Sequence, residues 1–215
     1  MSCCCPHSRS GGRVFSFFAR NYRKRFSKKG LEPSQQQLMA GLQQAGFADA
    51  TVLEIGSGVG HFHMTILEQG AKSATGIDLA PKMIEEAENW SKDRGLDGRV
   101  HYFQGDFMEI LSQIEAAEVT VLDKVVCCYP DADGLVHRSL EKTTRVYALT
   151  YPRYRLSVRM AIGIGALMMK LIGSSFRPYA HRPDDIERWV TAAGFQKRYQ
   201  DTTFIWLTQV YVKQT

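Results

Sequence analysis

The sequence lacks several features that mark special classes of protein. No stretch reaches the roughly 18 consecutive apolar residues of a membrane-spanning helix, and the N-terminus has no continuous apolar segment typical of a secretory signal. Cysteine is scarce: its five copies fall in two tight clusters, at 3–5 and 127–128, which is not a disulfide framework. A 215-residue chain with 44% hydrophobic residues therefore predicts one globular domain, and its cysteine usage favours the cytoplasm.

Acidic residues are absent from the first 30 positions, which hold eight Lys or Arg. The remainder has 27 − 8 = 19 basic and 22 acidic residues, a net charge of −3. A nucleic-acid-binding fold carries its positive charge on the fold itself, so nucleic acid is not an expected partner. The charge predicts two parts: a basic, partly disordered N-terminal arm at 1–30, with residues 1–12 disordered, and a folded domain at 31–215.

Within the arm, residues 14–29 interleave aromatic and basic side chains, with Phe15, Phe18, Tyr22 and Phe26 at helical spacing. Two interpretations remain open. The segment forms a helix that folds over a ligand site, or it is a basic amphipathic anchor that makes peripheral contact with a membrane. We expect no metal site in the cluster Cys3-Cys4-Cys5, because adjacent cysteines lack the spacing of a preformed site.

An apolar run, Val52 to Ile55, leads directly into a glycine-rich turn and then a helical pattern. The turn contains Gly56, Ser57, Gly58 and Gly60. This strand, turn and helix arrangement lets a nucleotide approach bare backbone near a helix N-terminus. The dinucleotide fingerprint needs G-x-G-x-x-G, but here His61 stands where the last glycine should be.

Two later strands also end in acidic residues. Asp78 ends a predicted strand 24 positions after Glu54, the position from which a carboxylate accepts both ribose hydroxyls of a nucleoside. Asp106 and Phe107 follow the next strand, where an adenine would lie. Three consecutive strand ends with suitable chemistry predict a nucleoside-containing ligand.

With these motifs, the chain resembles the class I S-adenosylmethionine (SAM)-dependent methyltransferases. Within that class, residues 121–131 and the later Tyr151-Pro152-Arg153 look most like a bacterial group near the magnesium-protoporphyrin O-methyltransferases. Glu54 to Gly60 looks like their first motif, Gly76 to Ile84 like their second, and Gly105 to Phe107 like their third. The alternation of strands and helices predicts an α/β fold with helices on both faces of a parallel sheet. The resemblance implies a Rossmann-like sheet of seven strands, with one strand near the C-terminus reversed.

The resemblance also implies the site residues. The predicted contacts of SAM are Glu54, Gly56, Ser57, Gly58, Gly60, Asp78, Leu79, Asp106 and Phe107. Asp123 ends the fourth strand near the methyl group, and His181 is a candidate general base. Asp123 has the alternative role of a structural partner for Lys124. The candidate acceptor-binding residues are Cys128, Tyr129, Arg153, Met168 and Arg177.

We expect an insertion at 154–178 to act as an apolar lid over the acceptor, with a plain packing helix as the alternative. Residues 160–169 are an uncharged run of ten, apolar on nearly all sides, so a helix there should be covered on more than one side. The expected function is methyl transfer to a small, substantially apolar acceptor: a tetrapyrrole carboxylate, a thiol or a hydroxyl. A non-catalytic SAM-binding module, attached to membranes or partners through the basic arm, is the alternative.

Overall fold

Seven strands form one sheet in the computed structural model, which describes residues 5–171 and 173–214. The strands are β1 (Thr51–Ile55), β2 (Ser73–Asp78), β3 (Val100–Gln104), β4 (Ala117–Asp123), β5 (Thr143–Pro152), β6 (Phe195–Thr202) and β7 (Trp206–Lys213). Their order is β3-β2-β1-β4-β5-β7-β6. β7 runs antiparallel to both of its neighbours, whereas the other pairings are parallel. The predicted fold class, with one reversed strand near the C-terminus, is confirmed.

Helices follow or precede most of the strands. They are α1 (Cys5–Lys29), α2 (Pro33–Ala45), α3 (His61–Glu68), α4 (Pro81–Asp93), α5 (Phe107–Ile110), α6 (Ala132–Glu141), α7 (Leu156–Leu171) and α8 (Pro183–Ala192). Proline occupies the first turn of α2, α4 and α8, where its missing N–H leaves no intrahelical bond unmade. No helix in the described part of the chain is long and apolar enough to cross a membrane.

The sheet buries both faces, so its central strands are apolar at successive positions. In β1, Val52 packs on one face with Leu38 of α2 and Phe62 of α3. Its neighbour Leu53 packs on the other face with Leu135 of α6 and Ile186 of α8. Because successive side chains of the strand point to opposite faces, each face of the sheet packs against its own layer of helices. The ends of the strands lie between these two layers.

α1 corrects one expectation about the N-terminal arm. Residues 5–12 were expected to be disordered, but they belong to the helix that starts at Cys5. Gly11 and Gly12 are packing positions in this helix: a Cβ on Gly12 would lie 3.0 Å from the carbonyl oxygen of Leu79, and one on Gly11 3.3 Å from the ring of Phe176. Glycine is used here for close contact with the body. Cys3 and Cys4 lie outside the described residues.

α7 corrects a second expectation. Its apolar composition predicted cover on more than one side, but within the helix only Val158 is buried. The opposite side of the helix is exposed to solvent along its length. α7 is therefore not a packing helix of the core.

Candidate functional site

A cavity of about 370 Å³ lies at the carboxyl ends of β1, β2 and β4, the edge at which open α/β sheets bind ligands. Its size is typical of a small-molecule site. The floor comes from the glycine turn after β1, one wall from the β4 end, and the roof from α1 and the start of α2. Of the predicted cofactor contacts, it brings together Glu54, Gly56, Ser57, Gly58, Asp78, Leu79 and Phe107.

The glycine turn needs glycine for two different reasons. Gly56 has a φ of 71°, and a Cβ there would lie 2.3 Å from a methyl carbon of Val125, so both conformation and space exclude a side chain. Gly58 is needed for its backbone conformation alone, because its φ is 54° and no atom lies near the place of its missing Cβ. Ser57 donates its N–H to the carbonyl of Ile77 at 2.8 Å, and its buried Oγ has no hydrogen-bond partner among the described residues. The turn thus presents bare backbone at the cavity.

Asp78 holds this turn from the end of β2. Its Oδ2 accepts the N–H of Gly58 at 2.8 Å, and its Oδ1 accepts the N–H of Ala80, also at 2.8 Å. Burial nevertheless raises the pKa of this carboxyl to about 6, and these two backbone bonds oppose the rise. The two backbone hydrogen bonds therefore stabilise the negative charge of the Asp78 carboxylate only in part.

Gly60 and Asp106 do not line the cavity. A Cβ on Gly60 would lie 2.8 Å from the hydroxyl oxygen of Tyr102, so this glycine serves packing behind the turn. Asp106 is 3% exposed; it accepts the N–H of Met108 at 3.0 Å and the hydroxyl of Tyr129 at 2.7 Å. The carboxylate therefore caps α5 and positions a tyrosine that does line the cavity.

Glu54 is joined to a buried histidine at the start of α3. Its Oε2 lies 2.6 Å from Nδ1 of His63, and Nε2 of His63 lies 2.9 Å from the hydroxyl of Tyr102. Burial raises the pKa of Glu54, and the hydrogen bond with His63 opposes that rise. This chain orients one oxygen of Glu54 and leaves the carboxyl at the cavity wall.

Asp123 lies at the end of β4 and is buried. Its Oδ2 accepts a hydrogen bond from Nε2 of Gln35 at 2.7 Å, and Nζ of Lys124 lies 3.9 Å away. Its Oδ1 is buried without a hydrogen-bond partner among the described residues. Burial raises the pKa of Asp123, while Lys124 and the bond from Gln35 oppose the rise. Asp123 lines the cavity, so this incompletely hydrogen-bonded carboxylate can accept a proton from a ligand.

Lys124 is bound mainly to a different carboxylate. Its Nζ lies 2.6 Å from Oε2 of Glu32, and it stands over the ring of Trp206 at 5.3 Å. Its backbone has a φ of 61°, which is uncommon for a residue with a side chain and occurs often at functional sites. Arg25 of α1 pairs with the other oxygen of Glu32 at 2.7 Å. Glu32 therefore connects the roof to the end of β4.

The roof is fixed by a stack of aromatic rings. Phe26 of α1 lies on His61 with ring centres 3.6 Å apart and planes 10° from parallel, and Trp90 of α4 continues the stack. Burial, with Arg94 as the next cause, lowers the pKa of His61 to about 3, so its ring is neutral at physiological pH. Phe15, Tyr22 and Phe26 all line the cavity. The aromatic side chains described for residues 14–29 thus face the site, as the cap interpretation expects.

Cys128 and Tyr129 also line the cavity, as expected. The Sγ atoms of Cys127 and Cys128 lie 4.0 Å apart. The neighbouring Cys127 thiol and burial raise the pKa of Cys128 well above its usual range. A protonated thiol is a poor nucleophile, so Cys128 acts as part of the wall.

Four further predicted residues do not line the cavity in this structure. Nε2 of His181 donates to the carbonyl of Tyr129 at 3.0 Å, and burial lowers the pKa of this histidine. Nη1 of Arg153 donates to the carbonyl of Thr203 at 2.9 Å, and Arg177 donates to the carbonyls of Ser174 and Phe176. Met168 is 61% exposed on α7. All four lie in or beside the predicted 154–178 insertion, whose fold the sequence pattern does not determine.

Other residues at the site were missed from the sequence. They include Arg25, Glu32, Gln35, Val59, Met83 and Trp206. Glu32 and Gln35 form a capping box at the start of α2, so their spacing was visible as a helix signal. Their position beside Asp123, 88 residues from Gln35, was not visible, because it depends on how α2 packs across the sheet.

Comparisons with known proteins agree with this geometry. Residues 52–147 match the family model described as "Methyltransferase domain". These residues, just under half of the chain, are similar to that domain family, and the fold agrees with the match.

Individual relatives are more distant. Ribosomal protein L11 methyltransferase of Pasteurella multocida is 32% identical over 74 residues, which is 34% of this chain and only 25% of that relative. Magnesium protoporphyrin IX methyltransferase from Synechocystis PCC 6803, solved with bound SAH, has a TM-score of 0.66 at 18% identity, covering 94% of this chain and 98% of that one. An O-methyltransferase family protein from Burkholderia thailandensis has a TM-score of 0.68 at 16% identity, covering 85% and 56%. These structures share the fold.

Proposed function

We propose that the protein transfers a methyl group from SAM to a small, substantially apolar acceptor whose reacting atom is a hydroxyl or a thiol. The observation that carries the choice of acceptor is Asp123. It is a buried carboxylate at the cavity wall, held through Oδ2 by Gln35, with its Oδ1 unpaired. An acceptor whose O–H or S–H meets this carboxylate donates a hydrogen bond to it and is deprotonated by it.

The residues present fit SAM. The turn at 56–58 leaves room for close approach, Asp78 offers two oxygens for ribose hydroxyls, and the pKa values of Glu54, Asp78 and Asp123 are all raised by burial. A cationic ligand stabilises the ionised form of such carboxylates. When bound, SAM supplies a methyl group made electrophilic by its sulfonium.

The protein's own residues then perform three tasks. Asp78 and the glycine turn hold the nucleoside, and Leu79 and Phe107 supply apolar surface. The roof of α1, fixed by the stack of Phe26 on His61, keeps water from the cavity. Asp123 takes the proton of the acceptor, with Gln35 fixing the orientation of the carboxylate.

A carboxylate acceptor, the other class considered from the sequence, needs cations and no base. Arg153 and Arg177, the predicted partners of such a group, donate to backbone carbonyls away from the cavity. The cations at the cavity, Arg25 and Lys124, are paired with Glu32. These contacts favour a protic acceptor. The alternative of a non-catalytic SAM-binding module has less support, because α1, its proposed attachment, forms the roof of the cavity.

The test uses acceptors that share one aromatic body and differ only in the reacting group: a phenol, a thiophenol and an arylpropionate. Transfer of tritium from methyl-labelled SAM is measured for the wild-type protein, Asp123→Asn and the exposed control Asp97→Asn. We expect methylation of the phenol or thiophenol, a loss of about 10²–10⁴-fold in rate for Asp123→Asn, and no change for the control. Methylation of the propionate alone, with Asp123→Asn fully active, would overturn the protic acceptor.

A further inference from the structure

α7 carries a stripe of large apolar side chains that face solvent. They are Leu156, Met160, Ile164, Leu167, Met168 and Leu171, and each is between 57% and 78% exposed. Their spacing of three and four residues places all six on one side of the helix, within an arc of about 120° at 100° per residue. Monomeric soluble proteins rarely expose a contiguous apolar patch of this kind without a function.

The other side of α7 seats the helix on the body. Val158 is buried, and Ile162 and Met169 are half-buried. Before the helix, the N–H of Arg153 donates to the carbonyl of Ile205 at 2.8 Å. After it, Phe176 is buried and packs edge-on against Phe15 with ring centres 5.4 Å apart. The segments on both sides of α7 are therefore attached to the fold, and the stripe points outward.

Positive charge surrounds the stripe. Residues 153–182 contain six Lys or Arg and no Asp or Glu. Arg159 and Lys170 are exposed and lie beside the stripe on the helix. The guanidinium of Arg159 stands over the ring of Tyr154 at 4.5 Å, and Tyr154 is itself 39% exposed. Apolar residues bordered by cations and an aromatic ring are typical of a helix that lies in a membrane interface.

We propose that α7 docks this protein on the surface of an anionic lipid bilayer. The helix lies in the plane of the interface, with its stripe among the acyl chains and Arg159 and Lys170 at the headgroups. Its 16 residues give a length of about 24 Å, and no described helix spans the bilayer. Phe204 and Ile205, exposed at the turn that Arg153 holds, add apolar surface beside the start of α7.

The charge pattern argues against a second copy of the chain as the occupant. In a two-fold interface the same surface meets itself. Two copies of α7 would bring together Arg159 and Lys170 from each chain, and residues 153–182 hold no acidic residue to pair with them. An anionic bilayer complements that charge.

The test is co-sedimentation of the full chain with vesicles of phosphatidylcholine alone or with 30 mol% phosphatidylglycerol. We compare the wild-type protein with the double variant Ile164→Gln/Leu167→Gln, with Arg159→Glu/Lys170→Glu, and with Arg188→Glu/Lys213→Glu. The last pair changes the net charge equally at exposed positions away from α7. A fourth variant, Lys28→Glu/Lys29→Glu, tests contact through α1.

We expect binding to the anionic vesicles, a loss of at least tenfold in the two α7 variants, and at most a twofold change in the charge control. Melting temperatures should stay unchanged because the stripe is exposed. Binding that depends only on Lys28 and Lys29 would overturn the proposal. The proposal would also be wrong if the wild-type protein did not bind vesicles but sedimented as a dimer that the stripe variant abolished, since α7 would then be a dimer interface. It would equally be wrong if the only defect of the stripe variant were a raised acceptor KM, since α7 would then be a lid. SAM affinity, which tests the proposed function separately, should be equal in all four variants.

Discussion

Gln35 donates a hydrogen bond of 2.7 Å to Asp123, and this bond joins the first turn of α2 to the end of β4. It fixes one oxygen of the carboxylate and opposes the rise in pKa that burial causes. The same α2 turn contains Glu32, which pairs with Arg25 of the roof and with Lys124. The bond therefore lies where the cavity roof meets the proposed proton acceptor.

Replacing Gln35 with leucine should move the pH profile of methyl transfer. Without the donated bond the pKa of Asp123 rises further, so the acid limb of log kcat/KM should shift to higher pH, with the plateau rate changed less. Gln43→Leu, an exposed change on the same helix, is the control. An acid limb that stays in place in Gln35→Leu would show that Asp123 does not set the rate.

His61 should make the folded protein sensitive to acid. Its pKa is lowered to about 3 in the fold, below its ordinary value of about 6.5. The stability that a neutral His61 allows is thus present above pH 6.5 and is lost as the pH falls toward 3. His61→Phe keeps a flat ring against Phe26 but has no group that titrates. When the pH is lowered from 7.5 to 5, the free energy of unfolding should therefore fall by roughly 2 kcal/mol more in the wild-type protein than in the variant.

Urea unfolding at these two pH values measures the difference. His101→Phe, at an exposed position, is the matched control and should lose stability as the wild-type protein does. Equal acid sensitivity in the wild-type protein and His61→Phe would mean that the buried stack opens without cost when the ring is protonated.

SAM affinity should depend on the ionisation of Asp78. With a pKa of about 6 in the free protein, the carboxylate is charged at pH 7.5 and mostly protonated at pH 5. If the charged form holds the ribose, the dissociation constant should increase about tenfold between these pH values. Asp78→Asn should bind more weakly at pH 7.5, and its affinity should change little with pH. A wild-type affinity that is constant from pH 7.5 to 5 would contradict ribose binding by this residue.

Gly56 and Gly98 offer a matched pair of alanine substitutions. Gly56→Ala forces a side chain into a positive φ and toward Val125, 2.3 Å from the new Cβ, so it should cost about 1–3 kcal/mol of stability and weaken SAM binding. Gly98 has ordinary φ and open space, and its change to alanine should alter neither property. Thermal melts with and without SAM measure both effects, and equal behaviour of the two variants would contradict the packing of the turn.

The sequence predicted the parts of this site that come from local patterns. The order of strands and helices, the turn at 56–58 and the acid at Asp78 follow from short segments whose hydrophobic pattern and spacing are visible in the chain. Residues contributed by distant segments were not predictable, because Gln35 meets Asp123 only through the packing of α2 on the sheet. For α7 the composition was misleading: an apolar helix is usually covered, yet this one presents its apolar side to solvent.

The most direct test of the central claim is calorimetric titration of the wild-type protein with SAM, SAH and NAD at pH 7.5. We expect SAM and SAH to bind at one site per chain, NAD not to bind, and Asp78→Ala to weaken the free energy of SAM binding by about 2–3 kcal/mol. Saturable binding of NAD without binding of SAM or SAH would contradict the assignment of the cavity to SAM.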